Sequence, residues 1–61
     1  MLEAFIKKLE GEIAMAKANI DVYINNSAGI GEHPDIAEAV ESQLEKIAAA
    51  HEKIQVIEQY F

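Results

Sequence analysis

Sixty-one residues, no cysteine, one proline, three glycines and a formal charge of −6 confine this chain to one small domain. The lack of cysteine excludes disulfides and thiolate metal sites. Five scattered lysines with no arginine exclude a patch able to neutralise or read phosphates, so neither nucleic acid nor an anionic membrane is expected as a partner.

Met1, Leu2 and Glu3 open the chain without the basic segment of a secretory signal, and Glu3 and Lys7 interrupt the apolar residues early. The longest apolar run, from Ile47 to Ala50, falls far short of the ~20 residues that cross a bilayer. A cytoplasmic location is therefore the expectation. Leu2, Ile6, Leu9, Ile13, Ala16, Ile20 and Tyr23 then follow one another at alternating steps of four and three. That spacing predicts a helix over residues 2–27 with a coiled-coil-like seam, which Phe5 and Ile24 widen. Gly11 lies inside it and costs about 1 kcal/mol relative to alanine. It is read as tolerated rather than as a point of close helix approach.

The corner is expected over residues 28–33. Gly29 suits the left-handed conformation that closes a helix, Ile30 is the apolar residue expected just after it, and Gly31 frees the chain again. Pro34 fits the first turn of a second helix, where its missing N–H has no partner to lose. Asp35 and Glu38 complement the positive helix end and have capping-box spacing if Asp35 is the cap; His33 as cap with Pro34 first in the helix is the other reading.

The second helix is predicted over residues 34–60. Ile36, Val40, Leu44, Ile47, His51, Ile54, Ile57 and Phe61 share one side, with Gln43 and Ala50 beside them and Val56 and Tyr60 outside. This wider stripe is that of a helix touching more than one neighbour. In an antiparallel hairpin centred near Ile30, residues whose numbers sum to about 60 face each other. Ile24 then meets Ile36, Ile20 meets Val40, Ala16 meets Leu44, Ile13 meets Ile47, Leu9 meets His51 and Ile6 meets Ile54. The expected architecture is an all-α, single-domain antiparallel hairpin (αα-hairpin) with a seam of Leu9, Ile13, Ile20, Val40, Leu44, Ile47, His51 and Ile54. Two helices leave a long apolar strip open to water, so pairing into a homodimeric four-helix bundle is expected.

No residue pattern carries chemistry. Glu32, His33 and Asp35 cluster in the corner, but two carboxylates and one imidazole on a loop read better as caps than as a metal site. His51 on the stripe could set register or sense pH; a histidine packed at the rim is the plainer reading. Ser27 and Ser42 have no activating base in sequence context, and Gly29-Ile30-Gly31 is too short for a phosphate loop. No catalytic residue, metal or cofactor is expected, and the protein is not read as an enzyme. Glu38, Glu41, Glu45 and Glu52 form an acidic band outside the second helix, a solvated face that could also dock a basic partner.

The stretch from Tyr23 to Ile36, above all Gly29 to Asp35, resembles the corner of small helical-hairpin proteins encoded by tailed phages, particularly phages of cyanobacteria. The similarity extends loosely to the segment Gln43-Leu44-Glu45-Lys46-Ile47 and to Tyr60-Phe61; a proline found near Ser27 in the family has no counterpart in this chain. The resemblance implies a phage or viral origin and action in host cytoplasm, and it brings no activity, ligand or catalytic residue. The function expected is that of an acidic, homodimeric interaction module binding a host or viral protein, with a structural or assembly component as the alternative.

Overall fold

A computed structural model of the chain describes residues 1–25 and 33–61, with His33 and Pro34 described in their backbone alone. Two helices account for nearly all of these: α1, Leu2–Asn25, and α2, His33–Tyr60. No strand occurs among the described residues. The corner residues Gly29, Ile30 and Gly31, with Ser27, Ala28 and Glu32, lie outside the described residues. So do the last two positions, 26 and 27, expected for the first helix. The second helix begins one residue earlier than expected, at His33, which leaves Pro34 in the first turn, where its ring is tolerated.

Local chemistry at the helix ends agrees with these bounds. Glu3 in the first turn of α1 and Asp35 in the first turn of α2 place negative charge beside the unpaired N–H groups. At the start of α1 the Phe5 N–H donates to the Met1 carbonyl at 3.1 Å, and beyond α2 the Phe61 N–H donates to the Ile57 carbonyl at 2.9 Å. Near the last described residue of α1, the Asn25 side-chain amide donates to the Asp21 carbonyl at 2.8 Å, one turn back.

The helices run antiparallel along each other. Leu2 and Phe5 share a groove with Val56 and Ile57, while Asn19 reaches Gln43 towards the other end. Residue sums across the pair therefore stay near 60, as the sequence pattern requires. The result is a thin rod, 44 × 15 × 12 Å, with a radius of gyration of 14.1 Å. A compact chain of this length would have about 10.5 Å.

Burial between the helices is concentrated in four residues: Leu9 at 1% exposure, Ala16, Ala50, and Gln43 at 7%. On α1 these are the expected seam positions. On α2 the inward row is Ile36, Gln43, Ala50 and Ile57, one residue away from the expected Leu44 and His51. The pairings of Ala16 with Leu44 and of Leu9 with His51 are thus corrected. Leu44 is 53% exposed and His51 is exposed as well. Size explains the rotation. Small Ala50 lies in the layer of Leu9 and leaves room for its full side chain, and small Ala16 lies in the layer of the longer Gln43.

Gln43 is a buried polar group in an otherwise apolar seam, and each of its two polar atoms has a partner. Its Oε1 accepts from Asn19 Nδ2 at 3.1 Å, and its Nε2 donates to Ser42 Oγ at 3.4 Å. No buried side-chain nitrogen or oxygen among the described residues lacks a partner. Shifting one helix by a turn would separate Asn19 from Gln43 and leave the buried amide unpaired, so the bond selects the register.

Candidate interaction surface

With no enzyme-like pattern to follow, the informative features are the two broad faces of the rod. Helix geometry sets them. Around each helix the seven-residue rows flanking the buried row lie about 50° to either side of it. In an antiparallel pair the rows four residues beyond the buried row fall on the same side of the rod. One face therefore carries Ile6, Ile13 and Ile20 of α1 beside Val40, Ile47 and Ile54 of α2. All six are half-buried. Ile24 and Leu44, both largely exposed, extend its rim, and His51 stands there too. The plainer reading of His51, a rim residue in contact with water, is the one that fits.

The opposite face is neither smooth nor purely apolar. A groove of about 500 Å³ is formed by Leu2, Phe5, Ala49, Val56 and Ile57, with Glu52 and Lys53 at its edge. A second of about 480 Å³ runs over Gly11, Met15, Ala16 and Asn19 and is edged by Lys8, Glu12, Lys46 and Gln43. Val56, set outside the stripe by the sequence pattern, is a wall of the first groove. A Cβ placed on Gly11 would meet nothing within 4 Å, so this glycine serves no close approach within the hairpin. Lys8 adds two weak interactions on this side. Its ammonium lies 3.8 Å from the Glu12 carboxylate and 5.6 Å from the centre of the Phe5 ring. Both groups of the ion pair are well exposed, so the pair contributes little.

The acidic residues Glu38, Glu41, Glu45 and Glu52 are all exposed; the first three lie on the side of α2 turned away from α1, and Glu52 stands where that side meets the first groove. None of them forms an ion pair among the described residues. Like charges at Glu41 and Glu45, one turn apart, repel and remain uncompensated. The corner cluster expected at Glu32, His33 and Asp35 lies outside the residues whose side chains are described, save exposed Asp35. Among the described residues no three histidine or carboxylate side chains gather in a way that could hold a metal ion. No described helix is long and apolar enough to cross a membrane.

Of the expected seam, Leu9 lies between the helices; Ile13, Ile20, Val40, Ile47 and Ile54 form the half-buried face; Leu44 and His51 mark its edge. The residue that sequence reasoning passed over is Asn19. It stands three residues from Ala16, one row off the seam, and only its spacing to Gln43 under the antiparallel sum could have singled it out. Compared with protein-family models, with curated proteins and with solved structures, the chain matches none.

Proposed function

We propose that this protein is a non-enzymatic interaction module that acts as a homodimeric helical bundle and binds a host or viral protein through its acidic outer side. One observation carries the reading. The lone hairpin exposes 4768 Å², whereas a compact protein of 6.7 kDa exposes about 3,900 Å². The excess of roughly 850 Å² is close to the ~800 Å² that one partner contributes to a standard protein interface. Part of that surface is apolar: Leu2, Phe5, Met15, Val22, Ile24, Leu44 and Val56 are all at least 42% exposed. The formal charge of −6, with an acidic band on α2 that forms no ion pair among the described residues, favours a partner presenting lysine or arginine. A phage origin and a site of action in host cytoplasm belong to this reading and rest on the resemblance of the corner segment.

The test has two parts. Light scattering at micromolar concentration is expected to give twice the chain mass, and a concentration-independent monomer overturns the homodimer. Affinity capture from lysate is then compared between the wild type and a variant with Glu38, Glu41, Glu45 and Glu52 all changed to glutamine. A stoichiometric protein held by the wild type and lost with the variant supports the docking role; equal capture by both overturns the part given to the acidic band.

A further inference from the structure

We infer that the second copy sits on the isoleucine face, across a two-fold axis that lies in that face and crosses α1 at Ile13 and α2 at Ile47, so that each helix packs antiparallel on its own copy. This rests on the homodimer reading and adds the surface and the symmetry.

The choice of face follows from where charge lies. Ile6, Ile13, Ile20, Val40, Ile47 and Ile54 form three layers with no ionisable group among them, all half-buried and all in need of cover. The grooved side has Lys8, Glu12, Lys46 and Lys53 along its grooves. An interface closing there would strip water from charges near its centre, where interfaces are depleted of them.

The axis follows from the pattern of layers. A two-fold interface must be self-complementary, each patch meeting its own copy. The layers are Ile6 with Ile54, Ile13 with Ile47, and Ile20 with Val40. A two-fold axis through the middle layer brings each outer layer onto the other outer layer of the partner. Both helices agree on it, because Ile13 and Ile47 are the midpoints of their rows and share one layer of the hairpin.

Charge then separates this axis from the alternative, in which α1 lies on the partner's α2. Just outside the isoleucine row, α1 carries Glu3, Glu10, Lys17 and Ile24, and α2 carries Ala37, Leu44, His51 and Glu58. With α1 on its own copy, Glu10 meets the partner's Lys17 and Lys17 meets the partner's Glu10, while Leu44 faces the partner's His51. With α1 on the partner's α2, Glu3 faces the partner's Glu58 twice. The first arrangement makes two attractive pairs; the second makes two repulsive ones and sets Glu10 against the partner's His51, leaving Lys17 opposite the partner's Leu44 with no acid to meet.

The absence of native cysteine makes the test clean. Ile13→Cys and Ile47→Cys, each alone, place two thiols on the axis, within reach of a disulfide. Mild oxidation of either single variant is expected to give a covalent dimer on non-reducing electrophoresis. A link that forms only when the two variants are mixed overturns the axis, and a link from Met15→Cys or Val56→Cys in their place overturns the face. A second measurement avoids the core. Glu10→Lys and Lys17→Glu should each raise the dimer dissociation constant about tenfold, and the double exchange should restore it. Unaltered dissociation in both single variants overturns the inference while the homodimer stands; a monomeric wild type removes the homodimer itself.

Discussion

The two broad faces of the rod are built from the same helices and differ in what occupies the rows beside the seam. On one side each row is β-branched: Ile6, Ile13 and Ile20 against Val40, Ile47 and Ile54. On the other the rows mix Phe5, Met15 and Val56 with Lys8, Glu12, Lys46 and Lys53 around open grooves. β-Branched residues have few rotamers to lose and present a defined surface. Methionine and lysine are adaptable and solvated by comparison. Exposed apolar area alone therefore does not distinguish the two faces; the stiffness of the isoleucine rows and the absence of ionisable groups within them do.

The same charge placed on each face should have very unequal effects. Ile13→Asp should destabilise the protein by about 3 kcal/mol or more and dissociate it, because a carboxylate in a closed layer has neither partner nor water. Met15→Asp, two residues away on the grooved side where Met15 is 67% exposed, should change stability by only about 0.5 kcal/mol. Thermal melting with sedimentation measures both; equal losses from the two variants would erase the distinction between the faces.

Next in size is the polar pair between the faces. Asn19→Ala removes the donor to Gln43 Oε1 and leaves a buried acceptor unpaired, which should cost about 1–2 kcal/mol in urea unfolding. Replacing Asn19 and Gln43 together by leucine should recover most of that loss, at the expense of a single register. A double variant as unstable as Asn19→Ala would show that the amides do more than satisfy each other.

Gly11→Ala should act in the opposite, stabilising direction. Open space around its Cβ and an interior helical position predict a gain of about 1 kcal/mol, a rise of about 4–8 °C in Tm. The dimer should be untouched, since Gly11 lies away from the isoleucine face; a loss of dimer with this variant would place the second copy over the grooves. Smallest of all, Lys8→Met removes the exposed pair with Glu12 and should shift stability by less than about 0.5 kcal/mol.

Much of this was legible from residue order. The alternating steps from Leu2 to Tyr23 define α1 and its buried positions, Leu9 and Ala16, because a narrow stripe leaves one inward direction. The antiparallel register near a sum of 60 was legible for the same reason. The rotation of α2 was not. Its stripe spans three adjacent rows, and hydrophobicity alone favours Leu44 and His51 over Gln43 and Ala50 as the inward pair in number of carbon atoms. The outcome turns on volume, since Leu9 needs the space that Ala50 leaves, and on a hydrogen bond from Asn19 that no periodicity encodes. The acidic band was visible as spacing, but its partner is a property of another molecule.

One feature of the packing bears on how the molecule breathes. Leu9, Ala16, Gln43 and Ala50, the four residues closed off within the hairpin, all lie in the central third of the rod. Towards the outer ends Leu2 and Phe61, and at the other extremity Ile24, are open to solvent. Amide protons near the middle should therefore exchange only with global unfolding, and those of the turns nearest the two chain termini should exchange by local fraying that spreads inward from that end. The rod is a zipper fastened at its waist, and the end that carries both chain termini can loosen while the middle stays closed.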